Sequence, residues 1–376
     1  MHSLTRRNIL DYLLDQHLVT PESVVDGNYM VVSASSRNRN FKVIRRGHTS
    51  YFVKQVERRI PESVASLTCE ANLYSLAQSD SGFASLAASI PRFFLFDPQA
   101  LILVVELYAE GETLTWTRWR EKTLPVQLAR TLGETMARYH DCPTHSTDRA
   151  VLRQFPQHAP WILSLHQNPA SAYGAEISPA NRQMLDILRR NPDFPKMLED
   201  LRAEWRHDTL IHGDMKWENI VLVDPQAPNP ELSLVDWELA NLGDAAWDTG
   251  SILQAFLTDW VFSIQIPPGA QVHQLEQYAD VPLDQSVPAI QAFWRAYAET
   301  RGLEGKRMED ALSRAARYGA ARMVQTLYEH SYDGQRLDMH HICLLQLSLN
   351  ILREPERAIE QLFNLKVLSS YETTRV

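Results

Sequence analysis

The stretch from residue 209 to residue 248 constrains this chain more than any other. It holds "TLIHGDMKWENIVLVD" and then, at 232–248, "LSLVDWELANLGDAAWD". Three short apolar runs, "TLIHG", "IVLVD" and "LSLVDW", read as strands bounded by polar turns. Asp214 follows a glycine between the first two, so it lies on a loop. Asn219 stands five residues on, and Asp236 ends the third run. Any one of these side chains alone would read as a cap or a turn residue. Three oxygen-bearing side chains at strand ends in this spacing point to chemistry instead. Phosphoryl transfer needs a carboxylate to accept the acceptor's proton and oxygen ligands to hold Mg²⁺ on nucleotide phosphates. Mg²⁺ prefers carboxylate and amide oxygens, with water and phosphate completing its shell. Asp214 as base, with Asn219 and Asp236 as ligands, supplies that set.

The rest of the chain predicts an α+β fold of two lobes. Residues 4–18 carry Ile9, Leu10, Leu13, Leu14 and Leu18 at helical spacing, stopped by "VTPES". Three strands follow, "NYMVVSAS" (28–35), "FKVIRR" (41–46) and "YFVKQV" (51–56), as in an antiparallel meander. A helix with proline at its start spans 61–78, and "FFLFDPQALILVVELY" (93–108) reads as two strands joined at Asp97-Pro98. After Gly111 the pattern turns helical, beginning with the amphipathic 125–142, and stays so from about 249 onward. The expected division is a nucleotide-binding β-rich lobe at 1–110 and a helical catalytic and acceptor-binding lobe at 111–376.

Charge and cysteine usage exclude several classes. A net charge of −9 opposes bulk nucleic-acid binding, which needs a basic surface. Cys69, Cys142 and Cys343 are far apart and form no CxxC pair, which speaks against a disulfide framework or a zinc site. The longest apolar run, around "ALILVVELYA", falls far short of the roughly 20 residues of a membrane span. The reading is a cytoplasmic protein with no membrane or nucleic-acid partner.

The motif "HGDMKWEN … VDWELANLGDAAWD" resembles the aminoglycoside phosphotransferase and choline kinase-like family, which shares the protein-kinase fold. The resemblance runs in order through nearly the whole chain. It implies ATP and Mg²⁺ as cofactors, with GTP left open. It makes Lys54, in "YFVKQ", the lysine on the α- and β-phosphates, and Glu70, in "TCEANLYSLA", its helix partner, with Glu62 available on the same segment. The glycine-rich phosphate loop of kinases is missing. "SASSRNRN" (33–40) stands there, and Ser33, Ser35 and Ser36 offer hydroxyls to phosphate, with Arg37 or Arg39 adding charge. The purine is expected against 104–114, on backbone groups near Glu106, Leu107 and Tyr108. His212 and Asp248 become braces of the catalytic loop, although Asp248 also reads as a helix cap. Gly213 stands where protein kinases carry an arginine. Only "WELANLGDAAW" separates Asp236 from Asp248, so no activation segment is expected and the enzyme reads as constitutively competent.

Lys216 narrows the acceptor. "DMKWEN" looks like the "DLKPEN" of protein Ser/Thr kinases, whose lysine reaches the transferring phosphate, and a cation there can neutralise developing charge. Three acceptors follow. The first is Ser or Thr of a precursor peptide, because "IHGDMKWEN" and "LRAEWRHDTL" resemble split kinases of lanthipeptide and thioamitide maturation, whose product goes to a separate lyase. The second is a small-molecule hydroxyl, as in antibiotic or metabolite kinases. The third is a hydroxyacyl thioester, because "DWELANLGD" also resembles kinase domains fused to acyl-CoA dehydrogenases. Residues 148–206 and 280–345 are expected to wall the acceptor pocket, with Trp161, Trp294, Tyr297 and Tyr328 as core. The rival of a different class is a nucleotide-binding pseudokinase, opposed by the presence of Lys54, Asp214, Asn219 and Asp236.

Overall fold

The N-terminal strands pair into an antiparallel sheet in the order β1-β2-β3-β5-β4. These strands are β1 (Tyr29–Ser33), β2 (Arg39–Arg45), β3 (Ser50–Gln55), β4 (Phe93–Asp97) and β5 (Ile102–Leu107). In β2, Phe41 and Val43 face the core while Lys42 between them is exposed, the period-2 pattern of a half-buried strand. β5 lies between β3 and β4, and Ile102–Val105 are continuously buried, as befits an interior strand. The computed structural model describes residues 3–25, 27–34, 38–57, 60–145, 149–167, 177–227, 230–267 and 272–365. Ser35, Ser36 and Arg37, offered above as phosphate contacts, lie outside the described residues.

The N-terminal helix is shorter than its periodicity suggests. α1 covers Ile9–Asp15. Before it, the Asn8 carboxamide accepts the Thr5 backbone N–H at 2.6 Å, which holds a turn instead of a helix. After it, His17 adopts a left-handed φ of 57° and stops the helix. Ile9 and Leu13 still reach the core and pack with Phe41, Val43, Tyr51 and Val53. A short helix, α2 (Pro21–Val25), follows before β1.

Helix α3 (Pro61–Ser79) begins on a proline, whose missing N–H costs nothing at a helix start. Glu70 alone carries charge among its buried residues. A short α4 (Ala84–Ala87) leads to β4. A second sheet joins β6 (Glu112–Thr113), β8 (Ile220–Leu222) and β9 (Leu232–Leu234), all antiparallel. Contacts divide the chain into two units, and both sheets belong to the first, formed by 1–113, 142–155 and 219–240.

The second unit, 114–141 with 156–218 and 241–376, is mainly helical. Its helices are α5 (Leu114–Glu121), most of α6 (Val126–His145), α7 (Pro179–Arg190), α8 (Asp193–Ala203), α9 (Ala245–Phe262), α10 (Leu283–Thr300), α11 (Gly305–His330), α12 (Met339–Arg353) and α13 (Pro355–Phe363). One two-stranded ladder, β7 (Thr209–Ile211) with β10 (Asn241–Gly243), stands among them. α9 is buried on nearly every side, as a central helix must be. It meets α11 backbone to backbone at Gly250 and Gly319. A Cβ on Gly250 would lie 2.3 Å from the Ala315 carbonyl oxygen, so only glycine permits this approach. Trp294, Tyr297 and Tyr328 are buried, and Trp161 meets Tyr328 edge-on at 5.2 Å, consistent with core roles. No helix among the described residues is long and apolar enough to cross a membrane.

Candidate active site

In the first unit Lys54, Glu70 and Asp236 converge. Lys54 sits on β3 opposite Leu103 of β5, and its side chain is buried. Its Nζ donates to both oxygens of Glu70 at 2.9 and 2.8 Å and to Asp236 Oδ1 at 2.5 Å. Of the two acids considered on this segment, Glu70 makes the contact, while Glu62 is exposed in the first turn of α3. Burial is the largest influence on Glu70. Together with the nearby Asp236 charge it pushes the carboxyl up to about 7, against the pull of the Lys54 ammonium. Two carboxylates thus share one ammonium, an arrangement with room for further positive charge.

Asn219 and Asp236 come to the same end of the small sheet. β8 and β9 pair antiparallel from Ile220 opposite Leu234, and the Val235 N–H donates to the Asn219 carbonyl at 2.9 Å. Asp236 then turns out of the strand in the left-handed region, φ 68°, where aspartate is tolerated and which recurs at functional positions. Its side chain keeps 37% of its surface exposed, whereas Asn219 is buried. One carboxylate and one amide fit Mg²⁺, which takes one or two protein ligands when phosphates supply others. Among the described residues no three His, Cys, Asp or Glu side chains form a metal cage.

The linker residues named for the purine are partly engaged. The Glu106 N–H donates to the Arg92 carbonyl at 2.8 Å, and the Tyr108 carbonyl accepts from the Gly111 N–H at 3.1 Å. With Tyr74, Arg92 and Ser233, Glu106 and Tyr108 line a cavity of about 440 Å³ in this unit, a volume in the small-molecule range.

In the second unit the loop carrying Asp214 is held from several sides. Gly213 has φ 82°, which explains why glycine stands here. The Asp248 carboxylate accepts the backbone N–H of His212 at 2.6 Å and of Gly213 at 3.0 Å. The Trp247 indole donates to the Gly213 carbonyl, and His212 Nδ1 accepts the Asp214 N–H at 3.3 Å. Asp248 therefore braces the loop. The cap of α9 is Asp244, whose side chain accepts from the Ala246 N–H. Sequence reasoning saw both roles in Asp248, and this helix starts one turn earlier than "DTGSILQAFL" suggested.

Asp248 also receives the Tyr139 hydroxyl at 2.6 Å and faces His140 Nε2 at 3.4 Å. Burial alone would raise its pKa, but the hydrogen bonds from its neighbours, His140 first and then Tyr139, hold it below the usual value. Burial keeps His140 neutral, so its Nε2 carries the proton facing Asp248 and Nδ1 accepts from the Tyr297 hydroxyl. Asp248→Ala should destabilise the protein by about 3 kcal/mol or more, since it strands buried donors. Urea unfolding measures it. The lowered pKa adds a sign: this contribution is present above the unfolded carboxylate range and is lost as pH falls through the folded value, so the variant should lose less stability on acidification.

Asp214 holds a cation on each oxygen. Lys216 Nζ lies 2.6 Å from Oδ2, and Arg322 Nη2, from α11, lies 2.9 Å from Oδ1. Burial lowers and the Asp214 carboxylate raises the Lys216 pKa, with a net rise, so Lys216 stays charged. Trp217 donates its indole N–H to Asp259 at 2.7 Å, and Arg118 of α5 pairs with the same oxygen at 2.8 Å. Burial pushes Asp259 up to about 7 against that arginine. Sequence reasoning missed Arg322, Tyr139, His140 and Asp259. The signal for Arg322 was a lone charge in the apolar register "YGAARMV".

Several solved structures share this fold. They include the choline kinase LicA from Streptococcus pneumoniae (TM-score 0.51, 14% identity, covering 93% of this chain and 99% of that one). A second is a GDP complex of wild-type aminoglycoside 2'-phosphotransferase-IIIa (0.53, 12%, 93% and 98%). A third is the amicoumacin kinase hAmiN in complex with AMP-PNP, Ca²⁺ and Ami (0.52, 14%, 92% and 93%). At these identities the likeness carries the kinase-like fold alone. No curated protein matches the sequence. The model of the phosphotransferase enzyme family (APH), however, matches residues 29–303, so the chain belongs to that family and is a phosphotransferase acting on a hydroxyl acceptor.

Proposed function

We propose that the protein moves the γ-phosphoryl group of ATP, presented with Mg²⁺, to a Ser or Thr hydroxyl of a precursor peptide. The observation that carries this reading is the Lys216 ammonium lying 2.6 Å from Asp214 Oδ2. A base and a phosphate-seeking cation side by side are the pair that Ser/Thr kinases use. Asp214 takes the hydroxyl proton as the acceptor oxygen bonds to the γ-phosphorus and the bond to the β-phosphate oxygen breaks. Lys216 balances the charge that grows on the transferring group. Lys54, positioned by Glu70, binds the α- and β-phosphates, and the 106–108 segment takes the purine. Asn219 and Asp236 would hold Mg²⁺, which offsets phosphate charge when bound. The phosphopeptide is then a substrate for a separate lyase, and ATP supply places the reaction in the cytosol.

The second reading is a small-molecule hydroxyl acceptor: an antibiotic, a metabolite or a hydroxyacyl thioester. It is favoured by the family match and by fold relatives solved with a nucleotide or with Ami. Mass spectrometry separates the two. MgATP, with MgGTP as a second donor, is offered with Ser/Thr-rich precursor peptides, aminoglycosides and hydroxyacyl thioesters, each beside an Asp214→Asn control. One added phosphate on a peptide, absent in the control, supports the first reading. Phosphate on small molecules alone sinks it.

Lys216→Ala should lower turnover about a hundredfold, the scale for loss of one charge-stabilising donor. Nucleotide affinity should stay within about threefold, because the lysine acts on charge that develops in the transition state. Steady-state kinetics beside direct nucleotide binding give both numbers. An unaltered rate would make Lys216 a plain loop lysine and remove the argument for a peptide acceptor.

A further inference from the structure

Arg322 stands three residues past Gly319, at the tight crossing of α11 on α9. Its side chain is 2% exposed, and a guanidinium that deep survives only when paired. Nη2 donates to Asp214 Oδ1 at 2.9 Å, while Nη1 reaches Glu329 Oε2 at 3.4 Å and Thr326 Oγ1 at 3.3 Å. The cation on the other oxygen differs in kind. Lys216 keeps 38% of its side chain exposed on a flexible stem and touches Oδ2.

We propose that Arg322 is a positioning residue that holds Asp214 Oδ1 throughout turnover and thereby assigns proton acceptance to Oδ2. The inference rests on Asp214 being the base. A planar guanidinium anchored at both ends cannot leave without stranding buried charge. Lys216 can leave, and the phosphoryl group is what it would leave for. Its departure opens Oδ2, the acceptor hydroxyl takes its place, and its proton passes to Oδ2 as its oxygen bonds to the γ-phosphorus and the β-phosphate oxygen departs. Oδ1 stays bound to Arg322, so the carboxylate plane does not turn. The same helix pair serves both tasks, because α9 carries Asp248, which fixes the amides of His212 and Gly213.

The test is a double-mutant cycle on MgATP hydrolysis with water as acceptor: wild type, Arg322→Gln, Asp214→Asn and the double variant. Each is checked for folding by the shift in Tm that MgATP produces. Arg322→Gln should lower kcat about thirtyfold or more, within the range of general-base effects, with KM for MgATP changed less than about threefold. In the Asp214→Asn background the same substitution should cost nothing further. A merely structural arginine would multiply its loss in both backgrounds, and that result overturns the proposal, as does an Arg322→Gln rate within threefold of wild type. Should Arg322→Gln fail to fold, Arg322→Lys carries the test: it keeps the charge and loses the fork, so kcat should fall about tenfold at unchanged KM, and an unchanged kcat overturns the idea. If Asp214→Asn itself retains full activity, the base assignment falls, an outcome distinct from a silent Arg322 beside an inactive Asp214→Asn.

Discussion

Asp214→Asn is expected to cut acceptor phosphorylation by about three orders of magnitude, within the range for loss of a general base, while MgATP affinity changes by less than about threefold. The substitution keeps the shape of the side chain and removes its charge and basicity. Lys216 and Arg322, which face its two oxygens, would still find one carbonyl between them. The fold should therefore survive, because Asp248, Trp247 and His212 hold the loop backbone. Nucleotide binding should survive as well, because Lys54, Glu70, Asn219 and Asp236 are untouched. Phosphate incorporation and a nucleotide titration on the same preparation read the two effects. A pseudokinase would show the opposite pattern: biological activity intact in the variant and no turnover to lose. That pattern would retire the base assignment and, with it, the reading of Arg322.

The parts of this molecule legible in its sequence are those encoded by short-range periodicity or fixed spacing. The strands around Lys54 show as short runs rich in aromatic and β-branched residues bounded by turns, and α3 shows its proline start and helical spacing. The segment from Asn219 to Asp236 shows two apolar runs whose pairing brings both ends together. Lys54 and Glu70 were linked only through resemblance, yet a buried acid on an otherwise apolar helix face is itself a signal that a cation must come from elsewhere. Arg322 was beyond reach because its partner lies 108 residues earlier, and nothing local says which way a helix will face. The Gly250 and Gly319 crossing that places it depends on two glycines that look unremarkable in sequence, since a helix tolerates glycine for many reasons. Asp259 was hidden similarly: its partners Arg118 and Trp217 come from a different helix and from the loop that carries Asp214. α1 was overextended because its apolar spacing continues through residues that a side-chain turn at Asn8 and a left-handed His17 remove from the helix.

Asp236→Asn should reduce Mg²⁺-dependent turnover by at least about a hundredfold, the upper end of what loss of a metal-shell partner costs, and should shift the Mg²⁺ requirement to higher concentration. An amide offers one neutral oxygen where the carboxylate offered two charged ones, and a hard cation discriminates strongly between them. The variant has a second, metal-free signature. In the wild type the Asp236 charge helps push Glu70 up to about 7. A carboxyl raised in this way contributes stability that is complete below its unfolded value and is lost as pH rises through the folded one. Removing the Asp236 charge lowers that folded value, so the variant should lose less stability than wild type between about pH 5 and 7. Lys54 keeps Glu70 as its partner in either case. Urea unfolding across this pH range without Mg²⁺, beside a Mg²⁺ titration of turnover, separates the outcomes. Normal turnover with the changed pH slope would leave Asp236 as a partner of Lys54 alone and move the metal site elsewhere. Lost turnover without the changed slope would keep the metal assignment and show that Asp236 does not govern Glu70.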